Sequence, residues 1–179
     1  MKYSAKTERT GLVQIYTGEG KGKTTASLGL LLRSWGHDHR LLFLQFMKAE
    51  PGIGEIVALE RLQVPVIQTG LDHWVSPRGV TDEDREAAAA GLAKAREFVM
   101  SGDYDVVVLD EVWTAVRFDL LPLADVLALM REKPEHTELV TTGRDAPDEA
   151  IAAADLATEM RPLKHYFEQG VKARIGIEF

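Results

Sequence analysis

The stretch Tyr16-Thr17-Gly18-Glu19-Gly20-Lys21-Gly22-Lys23-Thr24-Thr25 decides the fold. Three alternating glycines run into Gly22, Lys23 and Thr24, the close of the phosphate-binding pattern G-x-x-x-x-G-K-[ST]. Counted back from Gly22, the opening glycine belongs at position 17, where Thr17 stands; glycine arrives one place later, at Gly18. Such a loop works because backbone N–H groups converge on phosphate oxygens, and glycine lets the chain turn tightly. Gly18, Gly20 and Gly22 leave that turn unhindered. Lys23 offers a point charge to the outer phosphates, Thr24 a hydroxyl to Mg²⁺, and a following helix its N-terminal dipole. Thr17, Gly18, Glu19, Gly20, Lys21, Gly22, Lys23, Thr24 and Thr25 are therefore the expected nucleotide-binding residues.

The flanks agree with that reading. Leu12-Val13-Gln14-Ile15-Tyr16 reads as a strand entering the loop. Beyond it Leu28, Leu31, Leu32 and Trp35 fall at i, i+3, i+4 and i+7, one face of a helix that stops at Gly36. Further along, Leu41-Leu42-Phe43-Leu44-Gln45-Phe46 is an apolar run of the kind found in strands covered on both sides. A short helix is expected at 55–62 and a strand at 64–68. Thr81 and Asp84 form a capping-box arrangement at the head of the longest helix, which Gly102 ends. Asp105-Val106-Val107-Val108-Leu109-Asp110 is another buried strand, Pro122 opens a further helix, and Glu138 to Thr142 is a fifth strand. A short helix is expected at 147–153, a sixth strand at 156–160 and a terminal strand at 174–179. Alternation of this kind predicts an α/β fold: one mostly parallel sheet with helices on both faces, the P-loop NTPase-like, RecA-like class. Residues 1–10 are expected to be a flexible segment and 11–179 the domain.

Composition narrows the function. The chain has 179 residues, 45% of them apolar and 27% charged, as in ordinary globular proteins. Its formal net charge of −7 argues against a general nucleic-acid binder. No apolar run approaches the ~20 residues of a membrane span, and the first residues lack the apolar core of a secretory signal. The absence of cysteine removes disulfides and thiolate metal sites. A cytoplasmic location is the expectation, with no membrane and no nucleic-acid partner.

Two further groups join the loop at the same sheet edge. Asp110 and Glu111 end the Val-rich strand, where ligands of parallel sheets bind and where phosphate-loop enzymes place the aspartate that holds Mg²⁺. Arg144 follows the fifth strand through Gly143, which brings a guanidinium to that edge. Together they point to Mg-ATP, with Lys23, Thr24, Glu111 and Arg144 as catalytic candidates. Thr24, Asp110 and Glu111 are the candidate metal ligands.

Four stretches carry a resemblance to a known family: YTGEGKGKTTASLGLLLRSWG, LLFLQFMK, VVVLDE and the tail TTGRDAP…ADLATEMRPLKHYFEQGVKARIGIEF. The chain resembles the ATP:corrinoid adenosyltransferases of the bacterial phosphate-loop type, over roughly residues 11–179. A Thr-Gly start to the loop is usual in that family. The resemblance implies transfer of the adenosyl group of ATP to the Co(I) of a corrinoid, with triphosphate leaving. It also implies a homodimer, and a flavoprotein such as flavodoxin as electron donor. Trp74, and with it Phe167, would shield the lower face of the corrinoid, while His73 and His165 are expected to be hydrogen-bonding or surface residues rather than cobalt ligands. Two departures stand out. Glu19 occupies a place where the family usually has asparagine, and QTGLDHWVS replaces a segment that usually reads like GxGFTW. The alternative readings are a phosphoryl-transferring kinase or ATPase of RecA-like fold, and a nucleotide-gated binding module.

Overall fold

The computed structural model describes residues 10–50, 52–73, 75 and 79–179. Strand β1 (Val13–Thr17) runs through the loop into helix α1 (Lys23–Trp35). There follow β2 (Leu41–Phe46), α2 (Gly54–Arg61), β3 (Val66–Thr69) and α3 (Asp82–Ser101). The second half comprises β4 (Val106–Asp110), α4 (Val112–Arg117), α5 (Leu123–Glu132), β5 (Glu138–Thr142), α6 (Asp148–Ala153) and β6 (Leu156–Glu159). The six strands form one sheet in the order β3-β2-β4-β5-β1-β6, and every pairing is parallel.

Side-chain alternation along the strands divides the core between the two faces. Leu42, Leu44 and Phe46 of β2, with Val107 and Leu109 of β4, pack against Ala88, Ala95 and Val99 of α3 and Val126 and Leu129 of α5. The alternate residues Leu41, Phe43, Val106 and Val108 face the other way, onto Leu31 of α1 and Ile56 and Leu59 of α2. Strands covered on both sides need apolar residues at every position, which is why β2 and β4 read as unbroken runs. No helix among the described residues is long and apolar enough to cross a membrane.

The topology also selects the functional edge. From β1 the chain crosses to the α1 face, whereas from neighbouring β5 it passes to α6 on the opposite face. Adjacent β2 and β4 diverge in the same way, toward α2 and α4. Where neighbouring strands send their helices to opposite faces, a crevice opens beyond the strand ends.

Thr81 caps α3 with a reciprocal capping box to Asp84, and Gly102 closes it in the left-handed conformation, as the sequence predicts. Three expectations need correction. The inward stripe of α1 is Lys23, Ser27, Leu31 and Ser34; Leu32 and Trp35 are 57% and 45% exposed. The lysine must point into the loop, so the helix is rotated to suit the loop, and small serines then meet the sheet. Ser27 remains satisfied by donating to the Thr24 carbonyl at 2.7 Å. Second, residues 174–179 make a turn instead of a strand: the N–H groups of Ile177 and Glu178 both donate to the Arg174 carbonyl. A strand would hold Arg174 and Glu178 about 13 Å apart, but their side chains pair at 3.1 Å. Third, α4 was not anticipated. It is six residues long, too short for a helical period to show in the sequence.

Candidate active site

The loop is walled by the end of β6. A Cβ at Gly18 or Gly20 would lie 2.6 Å from the Met160 carbonyl oxygen, and Gly18 has φ +99°, so no larger residue fits at either place. The Gly20 N–H already donates to that carbonyl, at 2.7 Å. The amides at the start of α1, by contrast, have no carbonyl behind them within the helix. Lys23 is buried, and its ammonium donates to the carbonyls of Gly18 and Gly20 at 2.7 and 2.9 Å. Burial holds its pKa below the usual lysine range, against the pull of nearby Glu111. The charge thus rests inside the loop on neutral acceptors, which bond a cation less strongly than an anion would.

Thr17 has a role that a glycine could not fill. As the last residue of β1 it is buried, and its hydroxyl accepts the Ala146 N–H at 3.0 Å. That bond fixes the Arg144–Ala146 turn against the loop.

Asp110 ends β4 completely buried. Its carboxylate accepts from the Gln45 amide at 2.9 Å and from the Thr142 hydroxyl at 2.7 Å. Gln45 in turn accepts from Gln68, so a polar chain crosses four adjacent strands, β3, β2, β4 and β5. Both donors to Asp110 are neutral, and buried carboxylates are ordinarily paired with a cation or a metal. A hard divalent ion with oxygen ligands suits this position. Glu111 follows at φ 61°, its N–H donating to Thr142 and its carboxylate accepting from the Thr114 hydroxyl. Met47 after β2 (φ 61°) and Asp145 after β5 (φ 53°) share this left-handed backbone. The chain thus turns sharply where it leaves three adjacent strands on this edge.

These ends enclose a pocket of about 330 Å³, lined among others by Met47, Lys48, Glu111, Arg117 and Arg144. The size suits a small-molecule site. Arg144 is exposed, and its guanidinium donates to Glu19 at 2.8 Å. The structure thus gathers Thr17, Gly18, Glu19, Gly20, Gly22, Lys23, Asp110, Glu111 and Arg144 about one edge. Thr24 lies in the first turn of α1, half-buried, and Thr25 beside it is exposed. Lys21 diverges: its side chain leaves the loop to bond Tyr166, the Ile177 carbonyl and Glu178 at 2.7–2.9 Å. Trp74 lies outside the described residues. Phe167 is 75% exposed, outside the core. His73 bonds Asp84 at 3.0 Å, and His165 accepts the Phe167 N–H at 3.1 Å.

Sequence reasoning passed over Gln45, Thr142, Met160 and Arg117. A signal existed for Gln45, the one polar residue within LLFLQF. Arg117 had none, since it lies on the unanticipated α4.

The fold and this edge define a phosphate-loop protein of the RecA-like class. A solved structure with a similar fold is the flagellar accessory protein FlaH from Methanocaldococcus jannaschii, at 12% identity and a TM-score of 0.56, covering 84% of this chain and 71% of that one. The family model for ATP:corrinoid adenosyltransferase BtuR/CobO/CobP matches residues 9–179, and the chain belongs to that enzyme family. Among its relatives is a corrinoid adenosyltransferase of Sinorhizobium sp, 37% identical over 98% of this chain and 84% of the relative. Another is the corrinoid adenosyltransferase of Escherichia coli (strain K12), 35% identical over 96% of this chain and 87% of the relative.

Proposed function

We propose that the chain transfers the 5′-deoxyadenosyl group of ATP to the Co(I) of a corrinoid, and that the edge described above holds the triphosphate. The bond formed joins cobalt to the 5′ carbon; the bond broken joins that carbon to oxygen, and its electron pair departs with triphosphate. Co(I) brings its own electron pair and no proton, so no general base is needed. The residues have to compensate charge that grows on the leaving triphosphate. Lys23 and the first-turn amides of α1 do so from fixed positions, which is the most effective arrangement, and the exposed Arg144 adds its charge from the rim. Thr24, Asp110 and Glu111 would supply the oxygen donors for a Mg²⁺, which when bound would neutralise part of the triphosphate charge. The observation that supports the reading is the match of residues 9–179 to the ATP:corrinoid adenosyltransferase family, together with the buried Lys23 ammonium held 2.7 and 2.9 Å from two loop carbonyls.

Incubation with ATP, Mg²⁺ and chemically reduced cobalamin should yield a light-sensitive alkylcobalamin spectrum and stoichiometric triphosphate. Glu111 favours one rival, because a carboxylate after the strand-end aspartate is placed to orient water in an ATPase. Robust ADP formation without corrinoid would establish that rival instead. The same proposal includes a cytoplasmic homodimer supplied with electrons by a flavoprotein such as flavodoxin. Sedimentation of the purified chain, and reduction assays with and without flavodoxin, check those two parts.

A further inference from the structure

Glu19 stands within the loop, and its carboxylate is engaged by two arginines. One oxygen accepts from Arg144 at 2.8 Å, and the other from Arg117 at 3.4 Å. Arg117 also pairs with Asp145 at 2.8 Å. These residues come from two separate places: Arg117 is the last residue of α4, while Arg144 and Asp145 both follow β5. Both arginines line the pocket that holds Glu111. Two guanidinium groups therefore converge on one anion at the mouth of the loop, and the anion belongs to the protein.

We infer that Arg117 is a second triphosphate-binding cation beside Arg144, and that Glu19 is an internal anion which occupies the pair until a triphosphate displaces it. The inference rests on the reading that the loop holds a nucleotide. Side chains of Glu19, Arg117 and Arg144 are all between 42% and 52% exposed, so water screens their pairing and the bridges exchange readily. A polyphosphate brings more charge than a carboxylate and meets guanidinium groups bidentately. The exchange requires only side-chain rotation. Thr17 keeps the Arg144–Ala146 turn pinned to the loop, and Asp145 keeps Arg117 at the rim once Glu19 has left. Glu19 accounts for its own cost in this way: a carboxylate that would repel a polyphosphate instead masks two cations in the empty site. It lowers affinity for weakly charged anions more than for a triphosphate, and so sets selectivity.

The test is calorimetric titration of ATP, inorganic tripolyphosphate and adenosine into the wild type, Glu19→Gln, and Glu19→Gln/Arg117→Ala. Thermal melts confirm that each variant is folded. At low salt Glu19→Gln should bind ATP and tripolyphosphate about three- to tenfold more tightly, with adenosine unchanged. The gain should shrink at high salt, as exposed charges are screened. Adding Arg117→Ala should then weaken both phosphate ligands by about fivefold, since Arg117, still seated on Asp145, no longer has Glu19 competing with the ligand for it. Unchanged or weaker binding by Glu19→Gln overturns the inference, and weaker binding seen only with Mg²⁺ would make Glu19 a metal ligand instead. No effect of Arg117→Ala in that background reduces Arg117 to a tether for Asp145. A folded wild type that binds neither ATP nor tripolyphosphate would instead overturn the nucleotide reading itself.

Discussion

Behind the loop, Asp110, Thr142 and Gln45 are completely buried and tied to one another, whereas in front of it residues 161–179 lie almost wholly on the surface. Leu163, Phe167 and Ile175 are 94%, 75% and 86% exposed. This front segment is attached to the loop by charge: Lys21 reaches Tyr166 and Glu178, and Arg174 pairs with Glu178 over the Tyr166 ring. The contrast separates two jobs. A phosphate site must be rigid before its ligand arrives, and buried hydrogen bonds in low dielectric provide that rigidity. Exposed ion pairs fix direction but add little stability, so the tail is located without being locked.

Mutations can break this contrast from either side. The largest effect is expected from Lys23→Ala, which removes the buried charge at the triphosphate. Turnover with saturating ATP should fall about 10²- to 10³-fold, as for loss of a preorganised charge-stabilising group. Its melting temperature should change little, because the ammonium bonds only loop carbonyls. A variant with wild-type turnover would remove Lys23 from the site.

Asp110→Ala should damage both properties. It leaves the Gln45 amide and the Thr142 hydroxyl unpaired inside the sheet, at a cost of about 1–3 kcal/mol, readable from the denaturant midpoint. Turnover should fall alongside, with a higher Mg²⁺ requirement. Loss of activity without loss of stability would mean that Asp110 serves the ligand alone.

On the exposed side, Lys21→Ala should leave the denaturant midpoint nearly unchanged while trypsin cuts faster after Lys172 and Arg174. Equal cleavage rates would mean that Lys21 does not hold the tail.

The smallest effect concerns acidity. Arg174, then Lys21 and Tyr166, bond the Glu178 carboxylate and hold its pKa well below the ordinary 4.5. A carboxyl whose folded pKa is depressed contributes stability above the unfolded value, and loses it as pH falls through the folded one. Protection of the tail in hydrogen exchange should therefore be constant from neutrality to about pH 4.5 and decline only in stronger acid. A decline centred at the ordinary carboxylate value would show that the cluster does not form in solution.

Much of the central architecture is legible in the sequence. The strand–loop–helix unit, the two unbroken apolar strands and the capping box at Thr81 each depend on neighbours a few residues apart, and so leave a local pattern. The same is true of the phosphate loop, whose glycines answer to backbone geometry, although the particular wall they face, Met160, does not follow from it. Leu32 and Trp35 misled because helical spacing identifies an apolar stripe without saying what else covers it. The tail misled because alternating residues at 174–179 mimic a strand, while an ion pair four residues apart folds it back.

By itself the sequence determined the parallel sheet, the loop and the presence of an acidic and a basic residue at one edge, because regular hydrogen bonding and burial are written as short periods. Tertiary structure alone decided how those charges meet. Glu19 lies 98 residues from Arg117 and 125 from Arg144, and no short-range period records such distances. The sheet's strand order brings β1, α4 and the β5 turn to one rim, so Coulomb attraction acts only after the chain has folded.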